Sequence, residues 1–134
     1  MIDFFHKTLK KCTDSRGGIL LPLNFEDIDF IPNRMFVVSD VPKNSIRGEH
    51  AHYTTKQILL CVRGDIIVGF DDSISQKEVL LNQGDWVYMD KLTWGYQKFL
   101  SDDNIMVVLA STKHNKDDYI TNKQEFYSII GGMK

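Results

Sequence analysis

A chain of 134 residues suffices for one domain that buries most of its apolar surface, so neither disulfide staples nor a structural metal is needed to hold it together. Its 16 basic and 18 acidic side chains leave a formal charge of −2, which offers no footprint for nucleic acid or an anionic bilayer. With no leader pattern and no apolar run long enough to span a bilayer, the sequence predicts a single cytoplasmic domain over residues 1–134, with neither nucleic acid nor membrane as partner.

In chain order, the apolar residues fall in short runs at 19–23, 35–40, 57–63, 65–70, 77–81, 86–89 and 104–111, separated by Gly, Asn, Asp and Ser. That spacing predicts an all-β sandwich or barrel and argues against alternating βα units. Arg63-Gly64-Asp65 reads as the turn of a hairpin between 58–62 and 66–70, and further turns are predicted at Phe70-Asp71-Asp72-Ser73 and Asn82-Gln83-Gly84-Asp85. Several runs are apolar at successive positions, so both faces of those strands need cover, supplied by a second copy of the chain or by a terminal segment of the same chain. Only the tail changes period: Asn122 with Glu125 three residues on, Phe126, Ile129 and Ile130 at helical spacing, and Gly131-Gly132 as a stop predict a short C-terminal helix.

Chemistry concentrates in Arg47-Gly48-Glu49-His50-Ala51-His52, just ahead of Gln57. On an extended strand His50 and His52 project from one face, and two imidazoles with ordinary pKa values near 6.5 can hold one proton donor and one acceptor at neutral pH. Arg47 beside a glycine suits an anionic group such as a phosphate. A metal is the rival reading of an HxH pair, but Gln57 stands where a glutamate ligand would be expected, and the 84–95 segment supplies no third histidine, so the expectation is no metal and no cofactor. Cys61 reads as a buried small hydrophobe and Cys12 has no histidine partner nearby, so neither suggests a nucleophile. Trp86, Tyr88, Trp94 and Tyr96 form an aromatic group that could stack on a base or sugar or could equally be core.

With Asp14-Ser15-Arg16-Gly17, Arg34, the RGEHAH segment at 47–52, Gln57, Gly64, Trp94, Val108-Leu109-Ala110-Ser111 and Asp118-Tyr119-Ile120, the chain resembles the WxcM-like sugar 3,4-ketoisomerases of the cupin superfamily over nearly its whole length. The resemblance implies a cupin double-stranded β-helix, a jelly-roll barrel, that works as a homodimer with exchanged N-terminal strands. It also implies conversion of a dTDP-linked 4-keto-6-deoxy sugar to its 3-keto isomer, for amino sugars of surface glycans. His50 and His52 match the family's two active-site histidines, and Arg47, Arg16, Gln57, Trp94 and Tyr88 are the residues expected around the substrate. The chain departs from the family pattern at Phe36, where a tyrosine is common, and at Gly95, often a histidine or other polar residue. These departures keep open a non-catalytic sugar-nucleotide binder beside the enzyme, with a metal-dependent cupin as a further alternative.

Overall fold

The structure is a computed structural model that describes residues 6–132. Ten strands form two antiparallel sheets. The first sheet holds, in spatial order, β1 (His6–Thr8), β7 (Asp85–Met89), β4 (Gln57–Arg63), β9 (Ile105–Ala110) and β2 (Arg34–Ser39). The second holds β10 (Tyr119–Ile120), β3 (Ile46–His52), β8 (Trp94–Phe99), β5 (Ile66–Asp71) and β6 (Gln76–Leu81). From β2 to β10 consecutive strands fall in alternate sheets except for the β5–β6 hairpin, so the chain winds round the sandwich as a jelly roll.

The interior can be read from the registers, because side chains on one face of a sheet line up across strands. Phe36, Val108, Leu59 and Val87 form one inward row of the first sheet. Val68 and Phe99 face them from the second sheet, in one apolar cluster with Ile66, Phe70 and Met106. One alternate position along, the next row of the first sheet is Arg34, Ala110, Gln57 and Met89. The barrel is thus apolar through its middle and turns polar toward one end, where β3 delivers its histidines.

Strand positions also explain two differences from the sequence reading. The segment around Gly64 is not a hairpin: β4 pairs with β7 and β9, and the turn carries the chain to the other sheet. Gly64 is required there, with φ of 91° and the main-chain oxygen of Asp103 2.8 Å from where a Cβ would sit. The hairpin lies instead between β5 and β6, where Asp72 accepts hydrogen bonds from the main-chain N–H groups of Ile74 and Ser75.

The 19–23 run forms no strand beyond a bridge between Leu20 and Cys12. Leu21 and Leu23, with Leu9, Ile28 and Phe30, lie over the outer face of the first sheet against Ile58, Trp86 and Tyr88. A segment of the same chain therefore covers part of that face, as one of the two expectations had it. Toward β2 the face stays open, with Met35 64% and Val37 54% exposed. One end of the outer face of the second sheet is covered by α1 (Lys123–Gly131), which seats Phe126 and Ile130 on Trp94, Ala51 and Ile120.

Candidate active site

β3 would present alternate residues to the barrel, but a bulge between Gly48 and His50 shifts its register against β8. Gly48 at φ 88° and Glu49 at φ 57° absorb the extra residue, which brings His50 opposite Gly95 on the inward face. His52 follows on the same face and pairs with Tyr119 of β10. The two imidazoles meet edge to face with centroids 5.0 Å apart. The Tyr119 ring packs on both, at 5.0 Å from His50 and 4.4 Å from His52.

The electrostatics set both histidines neutral. His50 loses affinity for a proton through burial, only partly restored by its contact with the Gly48 carbonyl, 3.1 Å from Nδ1. A carbonyl can only accept, so Nδ1 carries the hydrogen and Nε2 keeps its lone pair. Burial pushes His52 further, to about 4, and repulsion between two protonated rings at His50 and His52 adds to that, while Asp118 pulls the other way. Asp118, at the end of the 3-10 turn Lys116–Asp118, places Oδ2 3.3 Å from His52 Nδ1. Arg34 lies at the end of β2 and reaches the Tyr119 hydroxyl at 3.5 Å, with its guanidinium 5.6 Å from the Phe36 ring centroid.

The predicted site residues divide by position. His50, His52 and Gln57 belong to the inward-facing polar end, Gln57 buried in the same cross-strand row as Arg34. Arg47 pairs with Gln97 on β3 and β8 and lies exposed beside Val37 to Pro42, at the edge between β2 and β3. Arg16 sits on an exposed loop with its guanidinium bound to Asp14, and no contact joins it to the histidines. Trp94 and Tyr88 point away from the barrel interior: Trp94 is buried under Phe126 of α1, and Tyr88 under Phe30, its hydroxyl on Asp90. Their positions follow from strand alternation, since Gly95 and Met89 beside them are the inward residues.

Arg34, Asp118 and Tyr119 are the residues that the sequence reading did not single out as site residues. Met89 explains Gly95, because a Cβ there would lie 2.5 Å from the Met89 thioether, which occupies the space a side chain would need. Cys61 is buried with its thiol pushed up to about 12 by that burial, as expected of a structural cysteine. Among the described residues no group of three or more His, Cys, Asp or Glu side chains is arranged to hold a metal ion.

Comparison with known proteins shows the family. The WxcM-like, C-terminal (FdtA) family model matches residues 3–131. The chain belongs to this WxcM-like family. A curated relative from Aneurinibacillus thermoaerophilus, a TDP-4-oxo-6-deoxy-α-D-glucose-3,4-oxoisomerase, is 32% identical over 122 residues, 90% of this chain and 88% of the relative. Among solved structures, a 3,4-ketoisomerase from Helicobacter canadensis superposes with a TM-score of 0.89 at 26% identity, covering 98% of this chain and 99% of its own. The sugar 3,4-ketoisomerase of Thermoanaerobacterium thermosaccharolyticum, solved with TDP, gives 0.87 at 25% identity over 97% and 96%. The WxcM-like chain thus has the cupin barrel that its sequence led us to expect.

Proposed function

We propose that this WxcM-like protein isomerises a dTDP-linked 4-keto-6-deoxyhexose to the 3-keto sugar by proton transfer through an enediolate. The observation that carries the reading is the pair of neutral imidazoles at the polar end of the barrel, in contact with each other and with Tyr119. The proton on C3 is acidified by the neighbouring C4 carbonyl. A neutral imidazole removes it, the electron pair forms the C3–C4 double bond of the enediolate, and the carbonyl electrons pass to O4. Protonation at C4, with the O3 proton passed to O4, then leaves the carbonyl at C3 and a hydroxyl at C4, with no net change in atoms or electrons.

His50 is the better placed carbon base, being only half-buried and holding a free Nε2. His52, enclosed with Asp118 and Tyr119, suits the oxygen protons. Arg34 supplies a positive charge at the same end of the barrel for developing enediolate oxygen charge, and Arg47, exposed at its edge, suits the diphosphate. Gln57 supports sugar binding from the Arg34 row. A cation already stands beside these imidazoles, and Gln57 is a poor metal ligand, so chelator treatment is expected to leave turnover unchanged.

The exposed Met35 and Val37 beside a face already apolar support a homodimer formed through the first sheet. Pairing of β1 with β7, seen here within one chain, is the same pairing that an exchanged strand would make in the partner. Action in the cytoplasm on behalf of 3-amino-3,6-dideoxy sugars of surface glycans completes the reading; no helix among the described residues is long and apolar enough to cross a membrane. The test is turnover of dTDP-4-keto-6-deoxyglucose by the His50→Asn and His52→Asn variants. Both are expected to fold and to lose turnover, and full activity in both would refute the proposal.

A further inference from the structure

Behind His52 lies a carboxylate that is bound more elaborately than a surface aspartate needs to be. Asp118 is buried at 8% exposure, and both its oxygens are engaged. Oδ1 accepts from the Thr54 main-chain N–H at 2.9 Å and from the Thr54 hydroxyl at 2.7 Å. Oδ2 accepts from the Thr55 N–H at 3.3 Å and from the Thr55 hydroxyl. Burial works against ionisation, but the hydrogen bonds from Thr55 and Thr54 outweigh it and hold the carboxyl below its usual range. The main-chain carbonyl of Asp118 is tied as well, accepting from Tyr53 N–H at 2.9 Å. An anion is thereby held in a fixed place, 3.3 Å from the Nδ1 of an imidazole that is itself 5% exposed.

We infer that Asp118 is a positioning residue that locks His52 in the Nδ1–H tautomer and so leaves the Nε2 lone pair available for proton transfer. A nitrogen lone pair 3.3 Å from a carboxylate oxygen is repelled by its charge, whereas an N–H is attracted, so the neutral ring carries its hydrogen on the Asp118 side. Neither ring nitrogen makes a hydrogen bond of good geometry among the described residues, so it is the Asp118 charge 3.3 Å from Nδ1 that favours the hydrogen on that side and leaves Nε2 unprotonated and buried. The charged and titratable groups around the ring are His50 on the same strand, Asp118 from the 3-10 turn, Tyr119 from β10 and Arg34 from β2. Asp118 supplies the only negative charge in that set. A carboxylate that fixes tautomer and ring direction without taking the proton is a recurrent arrangement in proton-transfer sites.

The inference rests on the isomerase reading for its purpose but not for its physical content, and two measurements separate them. In long-range proton–nitrogen NMR of histidine-labelled wild-type protein near pH 7.5, His52 is expected to carry its hydrogen on Nδ1. The opposite tautomer would overturn the inference, and this result needs neither substrate nor a variant. For Asp118→Asn, kcat is expected to fall on the order of 10²-fold or more with KM little changed. The acid limb of its pH profile should move to lower pH, because the carboxylate that draws a proton toward His52 is gone. A folded variant with undiminished kcat, or with its acid limb unmoved, would contradict the inference, since a merely structural aspartate lowers stability without shifting the limb. Should the variant fail to fold, the wild-type tautomer decides. A wild-type protein with the expected tautomer but no isomerase activity would sink the proposed function and leave the positioning role standing.

Discussion

His52 must stay neutral with a fixed aspartate on one side, and burial is what keeps it so. That has a consequence for stability. Its folded pKa of about 4 lies below the unfolded value near 6.5, so the unfolded chain binds the extra proton first. Stability is then full above about pH 6.5 and falls as the pH drops toward 4, by about 3 kcal/mol from this group. Urea midpoints measured at pH 7 and pH 4.5 are expected to differ, and the difference should shrink in His52→Asn. An unchanged difference would place the acid sensitivity elsewhere. At this scale the histidines were legible because two residues of one type at a period of two need no knowledge of the fold. Asp118, although it lies in a segment that matches the family, was not singled out as a site residue, because it reaches the end of β3 from a turn 64 residues beyond Thr54 and its local sequence does not say what it will face. Trp94 and Tyr88 misled for the converse reason: an aromatic suits a ligand and a core equally, and only the register assigns the face.

The elements that carry the site are those that the hydrophobic pattern reveals least. β8 reads Trp-Gly-Tyr-Gln-Lys-Phe, and its inward positions near the histidines are Gly95 and Gln97, so no apolar run marks it. β3 likewise turns His50 and His52 inward and depends on a bulge for its aim. Strands that mainly fill the core, such as β7, β9 and β4 beyond Gln57, follow the pattern closely. Gly48 tests the bulge: it sits at φ 88°, and an added Cβ would meet the Gln97 side chain at 2.9 Å and the Gly95 carbonyl at 3.2 Å. Gly48→Ala is expected to cost about 1–3 kcal/mol and to lower kcat by swinging His50 out of line. Denaturant titration and single-substrate kinetics check both, and wild-type kcat would show that the bulge does not aim the ring. α1 was legible because its signals are local, and Asn122 Oδ1 accepts from the Glu125 N–H at 2.9 Å as its cap. Truncating the wholly buried Phe126 to Ala should cost about 3–5 kcal/mol in the same titration.

Over the whole molecule, the order of strands is what no local signal disclosed. The turn at Gly64 has the composition of a hairpin, yet the two flanking strands prefer partners in opposite sheets because each is apolar enough to be buried from both sides. The same both-sided burial points beyond one chain. Roughly 1,200–2,000 Å² is needed for a stable interface, and the open β2 side of the first sheet is the apolar surface continuous with the covered part. Met35→Glu with Val37→Lys is expected to turn a dimer into a monomer in sedimentation velocity; a wild-type protein that is monomeric at micromolar concentration would refute the assembly. The central claim is the proton transfer itself. It is tested most directly by proton NMR of the wild-type protein with freshly made dTDP-4-keto-6-deoxyglucose in deuterium oxide. The account expects loss of the C3 proton signal and the appearance of a 3-keto sugar carrying deuterium at C4 wherever exchange with solvent outpaces internal return. Binding of the nucleotide sugar with every ring proton retained and no 3-keto product would contradict it, leaving a barrel that holds the sugar without acting on it.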